Sequence, residues 1–91
     1  MIVYETTMEE AITEAIERLK LPGHTKVFGV HGDGATGRHY GDPIWPGTNN
    51  VIYSAVPAER VDAIVESLRA VQARYRKKPG MSIFVFPVEV R

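Results

Sequence analysis

Two amphipathic helical patterns, each lying between short apolar runs, restrict this chain to few folds. Apolar residues recur at spacings of three and four from Met8 to Leu19, and again from Val61 to Val71, so each set shares one face of a helix. Apolar runs with strand character flank both patterns, which predicts the order β-α-β-β-α-β. The predicted strands are residues 2–4, 25–31, 51–56 and 82–90.

This order predicts an α+β, ferredoxin-like βαββαβ fold, with a four-stranded antiparallel sheet and both helices on one face. Strands one and three are then central and strand four is an edge, where Pro87 is tolerated. Thr7 followed by Glu10 matches a capping box and predicts the start of the first helix. Pro22 and Gly23 predict its end.

Composition narrows the functional classes. The 91 residues suit a single domain over 1–91, and 11 basic residues balance 11 acidic ones. A net charge of zero disfavours non-specific binding to nucleic acid, and the absence of cysteine excludes disulfides and thiolate metal sites. The N-terminal residues lack the pattern of a signal peptide, and no apolar run is long enough to cross a bilayer, so we expect a cytoplasmic protein without membrane insertion.

The last predicted strand is apolar on both faces. Ile83 and Val85 point to one side of it, whereas Phe84 and Phe86 point to the other. Two helices can cover only one face of a sheet, so the second face would expose an apolar patch. The pattern therefore predicts self-association.

Residues 32–49 are rich in Gly, Pro, Asp and Asn and lack periodicity, which predicts a long loop. Gly32, Gly34 and Gly37 match G-x-G-x-x-G, but residues 38–43 cannot open the helix that a dinucleotide site requires. One interpretation is that the loop amides and Arg38 bind an anion. The other is that the glycines only permit turns.

Three large side chains in this loop, Tyr40, Ile44 and Trp45, are candidate anchors for a protein partner. Trp45 folding onto the core of its own chain is the equally weighted alternative.

Histidines in and beside the same loop are candidate metal ligands. His31 and His39 could supply nitrogen ligands to a divalent metal. Ordinary surface histidines are the favoured alternative, because no spacing places two ligands on one helical turn.

A basic cluster follows the second helix, and it comprises Arg74, Arg76, Lys77 and Lys78. Cations at a helix C-terminus are favourable in themselves, which is the preferred explanation. The alternative is that Lys77 and Lys78 contact a phosphate.

For catalysis the sequence offers little, and we predict that the protein is not an enzyme. No serine or threonine has a histidine partner by motif, and cysteine is absent. The carboxylates of the first helix are interpreted as a solvated face: Glu9, Glu10, Glu14 and Glu17.

In three segments, residues 25–34, 56–65 and 77–85, the chain resembles the PII signalling superfamily, which includes PII and CutA-like trimeric proteins. The resemblance implies a homotrimer with its sheets facing inward and ligand clefts between subunits. It also implies that residues 32–49 correspond to the mobile T-loop, which contacts a target such as a transporter or an enzyme. Residues 76–82 would correspond to the nucleotide-binding B-loop, which adds Gly80 and Ser82 to the candidate ligand-binding residues.

Three hypotheses follow from these observations. The first is a PII-like regulatory protein that binds a small anionic ligand, with ATP, ADP or AMP as the candidates, and presents its loop to a target protein. The second is a CutA-like trimer that binds a divalent metal. The third is a structural trimer without a ligand.

Overall fold

The computed structural model describes residues 1–31 and 48–91. Within these ranges the chain forms four strands and two α-helices, and the sheet order is β2-β3-β1-β4 with every neighbouring pair antiparallel. The predicted ferredoxin-like α+β arrangement is confirmed, including the two central strands and the edge position of the fourth. The elements are β1 (Ile2–Glu5), α1 (Glu9–Leu19), β2 (Thr25–Val30), β3 (Asn49–Tyr53), α2 (Val61–Ala73) and β4 (Met81–Ile83).

The core lies between one face of the sheet and both helices. Alternate strand residues point toward the helices, and each helix buries one stripe, as the helical spacing predicts. Burying a large apolar side chain completely contributes about 1.5–3 kcal/mol, so these contacts dominate the stability of the fold. The buried core residues are Ile2, Tyr4, Met8, Ile12, Ala15, Ile16, Ile52, Ile64, Leu68, Val71 and Met81.

The start of α1 differs from the prediction. A 3₁₀ turn over Thr6–Met8 precedes the helix, and no side chain caps the first turn of α1. The predicted capping box is therefore wrong, because Thr7 lies inside the 3₁₀ turn rather than before the helix. At the other end, Lys20 adopts a left-handed conformation with φ of 50° and ends the helix two residues before Pro22.

The bounds of the middle strands also shift. β2 ends at Val30, and β3 begins two residues earlier than predicted and ends at Tyr53 rather than Val56. A β-bulge interrupts their pairing between Val27 and Val30, where Gly29 has φ of +68°, a conformation that glycine adopts readily.

The fourth strand is much shorter than the predicted residues 82–90. β4 spans only Met81–Ile83, and main-chain hydrogen bonds in both directions between Met1 and Phe84, at 2.9 and 2.8 Å, extend its pairing with β1 by one position. The predicted length was wrong because a run of apolar residues does not make a strand without a neighbour to pair with, and Pro87 has no amide to donate.

We call residues 84–91 the tail. Its apolar side chains are largely exposed, and between the tail and α2 lies an apolar groove of about 540 Å³. Neither described helix is long and apolar enough to cross a membrane.

The outer face of the sheet, away from the helices, is also apolar in part. Val51 is only 6% exposed, and its neighbours in the pairing register are Val3 and Val27. Val27 and Tyr53 on this face are 42% and 46% exposed. Self-association was predicted because two helices cover only one face of the sheet, and the trimer stays a prediction.

Candidate ligand site at the basic end of the sheet

One end of the sheet gathers the end of β1, the start of β3 and the turn that leads into β4. The backbone N–H of Glu5 donates to the carbonyl oxygen of Gly80 at 3.1 Å. The next amide, that of Thr6, donates to the carbonyl oxygen of Thr48 at 3.3 Å. Thr48 directly follows residues 32–47, so the predicted long loop rejoins the sheet beside the turn that precedes β4.

We call residues 74–80 the basic turn and this end of the sheet the basic end. The turn begins where α2 ends, and the amide of Arg74 still donates to the carbonyl oxygen of Val71 at 3.2 Å. Its four cationic side chains are exposed, where they complement the helix dipole and also attract anions. They are Arg74, Arg76, Lys77 and Lys78.

The backbone of the basic turn is held by two side chains of α2. The amide of Gln72, a residue only 4% exposed, donates to the carbonyl oxygen of Pro79 at 2.7 Å. Arg69 donates to the side-chain oxygen of Gln72 at 2.9 Å and to the carbonyl oxygen of Met81 at 3.2 Å. Because buried carbonyls keep their partners, these bonds restrain the turn on both sides of Gly80.

A buried carboxylate holds the same turn from the β1 side. Glu5 is 4% exposed, and its carboxylate accepts a hydrogen bond from the backbone N–H of Gly80. A Cβ atom at position 80 would lie 3.2 Å from Oε2 of Glu5, so the close approach favours glycine. Sequence reasoning missed Glu5, because a single glutamate at the end of a three-residue apolar run carries no periodic signal.

A second polar cluster, the Glu9 network, lies between α1 and the sheet. Two donors reach Oε1 of Glu9: the Tyr4 hydroxyl at 2.6 Å and the Asn50 amide at 2.8 Å. Two others reach Oε2: Lys26 Nζ at 2.6 Å and the Thr13 hydroxyl at 3.0 Å. The carboxylate is therefore saturated with donors from four elements.

These contacts set the protonation of the network. Burial alone would raise the pKa of Glu9, but the four hydrogen bonds outweigh it and lower the pKa from 4.5 to about 2. Burial and the bond to Glu9 both raise the pKa of Tyr4, which keeps its hydroxyl protonated as a donor.

The Glu9 network continues into the bulge of β2. The side-chain oxygen of Asn50 accepts the N–H of Gly29 at 3.1 Å, which satisfies an amide that the irregular pairing leaves free. Lys26 also lies over the ring of Phe28, 5.5 Å from its centroid. The network thus joins both strands that flank residues 32–47.

The interpretation of Glu9 as part of a solvated face was wrong. Glu9, Ile12, Thr13 and Ile16 follow the spacing i, i+3, i+4, i+7, which places Glu9 on the apolar face of α1. Alternation along β2 places Lys26 on the helix side of the sheet. Both signals were present in the sequence, but their meeting depends on how α1 packs.

The remaining predicted site residues divide into three groups. Lys77, Lys78 and Gly80 lie together in the basic turn, whereas Ser82 is exposed and pairs with Val3 in β1. His31 is exposed directly after β2, and the described part of the chain contains no group of three side chains that could hold a metal. Outside the described residues lie Gly32, Gly34, Gly37, Arg38, His39, Tyr40, Ile44 and Trp45.

The fold and this site define a small α+β protein that carries a cationic turn beside the attachment of a long segment. The family model of nitrogen regulatory protein P-II matches residues 1–90, so the chain belongs to the P-II nitrogen regulatory protein family. The resemblance stated from the sequence is confirmed, and the family is one of regulatory proteins. A search of curated proteins finds no match.

Proposed function

We propose that this chain is a cytoplasmic, non-enzymatic regulatory protein that binds a small anionic ligand at the basic turn and presents residues 32–49 to a target protein. An adenine nucleotide is the candidate ligand, and the site lies between the subunits of a homotrimer. Membership of the P-II family supports the regulatory role.

One observation carries the proposal: the exposed cations of the basic turn lie at the end of the sheet where residues 32–47 are attached. Lys77 and Lys78 present mobile ammonium groups that suit phosphate oxygens. The amide of Thr6 links the neighbourhood of Gly80 to Thr48, so a ligand at the turn would also lie near the start of β3. Ligand occupancy could thus be transmitted to the loop through a short path.

The exposed apolar groups of the sheet support the trimer. Val27 and Tyr53 leave part of the outer face in contact with water, and a second copy of the chain would shield it. In such an assembly the basic turn of one subunit would face a neighbour, and the ligand would occupy the cleft between them.

Light scattering and calorimetric titration with ADP test this proposal together. We expect a mass of three chains, and ADP binding that weakens roughly 5- to 20-fold in Lys77→Ala or Lys78→Ala, since each loses one close charge contact. Arg18→Ala is the matched control, because it removes one exposed cation from the last turn of α1, at the opposite end of the sheet. Absence of ADP binding at millimolar concentration, or equal losses in the control, would contradict the proposal.

A further inference from the structure

The basic turn has an unusual feature for an anion site: one of its backbone donors is already used by an anion of the same chain. The N–H of Gly80 donates to the Glu5 carboxylate. A backbone amide carries a single hydrogen, so a phosphate and Glu5 cannot both receive a full hydrogen bond from it.

The turn cannot easily reorient this amide toward solvent. The carbonyl oxygen of Gly80 accepts the N–H of Glu5, so the two residues are joined through both backbone and side chain. Gln72 holds the preceding carbonyl, of Pro79, and Arg69 holds the following one, of Met81. Given these contacts among the described residues, a ligand would gain the Gly80 donor by displacing Glu5.

We propose that the Glu5 carboxylate is a built-in competitor of the ligand, which lowers the affinity of the basic turn for anions. The inference rests on the proposed function and specifies what limits binding at that site. The exposed cations attract the ligand, while the buried carboxylate repels it and withholds the Gly80 amide. The site would then respond to an abundant anion rather than a scarce one.

Replacing Glu5 by glutamine separates these effects from folding. Glu5→Gln keeps the shape of the side chain, and its amide oxygen can still accept the Gly80 N–H, but the negative charge is gone. The matched control is Glu59→Gln, which makes the same charge change in the exposed 3₁₀ turn before α2. The 13 residues of α2 separate Glu59 from the basic turn by about 20 Å. This distance is well beyond the screening length at physiological salt.

The measurement is calorimetric titration of wild type and both variants with ADP. We expect Glu5→Gln to bind ADP roughly 5- to 20-fold more tightly than wild type, because a like charge close to the ligand is removed. The affinity of Glu59→Gln for ADP should stay within about twofold of that of wild type. The gain should shrink in about 1 M salt, where charge interactions are screened, and a purely structural effect would not show this dependence.

Three results would overturn the inference, and they can be told apart. If Glu5→Gln binds ADP no more tightly than wild type while Lys77→Ala binds it more weakly, Glu5 is not a competitor but the proposed function stands. If neither wild type nor any variant binds ADP, both this inference and the proposed function are overturned. An amide proton resonance of Gly80 that is unchanged by Glu5→Ala, which removes the acceptor, shows that the contact itself does not form in solution.

Discussion

The two ends of the sheet differ in how many hydrogen bonds their backbone groups make. At the basic end, side chains of α2 and β1 bind the backbone on both sides of the turn, and the Glu9 network bonds α1 to three strands. At the other end, the tail makes main-chain bonds to other described residues only at Phe84, and its ion pair between Arg91 and Glu89 is highly exposed. The basic end is stabilised by polar contacts within one chain, whereas the tail presents apolar groups.

This difference suits the two ends to different kinds of contact. Buried polar contacts are directional, so they hold the basic turn in one geometry. Exposed apolar groups such as Val85 and Phe86, at 63% and 52%, are non-directional and gain most when another surface covers them. Under the proposed function, ligand recognition belongs to the basic end, and we expect the tail to contribute to assembly.

The largest effect is expected from removing the centre of the Glu9 network. Glu9→Ala leaves four donors without their acceptor and should lower the free energy of unfolding by roughly 2–3 kcal/mol. The neighbouring exposed residue gives the control, Glu10→Ala, which should change it by about 0.5 kcal/mol or less. Urea denaturation at neutral pH measures both. Similar losses in the two variants would show that the network contributes nothing specific.

The pH dependence of stability sharpens the same point. The pKa of Glu9 is about 2 in the folded protein and near 4.5 when unperturbed, so the unfolded state binds more protons between these values. The resulting stability is present above about pH 4.5 and is lost as the pH falls toward 2. After allowance for solvent screening, wild type should lose roughly 1–2 kcal/mol more than Glu9→Gln across this window. Urea denaturation at several pH values measures the free energy of unfolding of both proteins. If it depends on pH in the same way in wild type and Glu9→Gln, the lowered pKa of Glu9 is contradicted.

A pair of glycine substitutions compares the two ends directly. Gly80→Ala brings a methyl group to 3.2 Å from the Glu5 carboxylate and should cost about 1 kcal/mol. Gly23→Ala meets no atom within 4 Å and should be neutral or slightly stabilising, since alanine reduces the entropy of the unfolded chain. Thermal unfolding measures both. Equal shifts in Tm would show that the basic turn is not tightly held.

The smallest effect on stability within one chain is expected in the tail. Phe86→Ser should lower the free energy of unfolding of a dissociated chain by about 1 kcal/mol or less, because about half of the side chain is already exposed. The same change should weaken the proposed trimer, as measured by analytical ultracentrifugation over a dilution series. An undiminished trimer would remove the tail from the interface, while the outer face of the sheet would remain a candidate.

Much of the fold could be predicted from local patterns, but less of the site. Helical spacing identified the buried stripes of both helices, including Ile12 and Leu68, because the period of a helix is visible in the sequence. The basic turn was also recognised, since Lys77 and Lys78 are adjacent along the chain. Glu5 could not be recognised, because its partner Gly80 lies 75 positions away and meets it only across the β1–β4 pair.

The sequence by itself determined the order of elements, the inward faces of the helices and the membership of the P-II family, because each depends on periodicity and spacing along the chain. Tertiary structure alone decided the length of β4, the packing of the Glu9 side chain against the sheet and the contact of Glu5 with Gly80. A strand needs a neighbour to supply hydrogen bonds, and a buried carboxylate needs donors from other elements. Such partners become known only when distant parts of the chain are packed together.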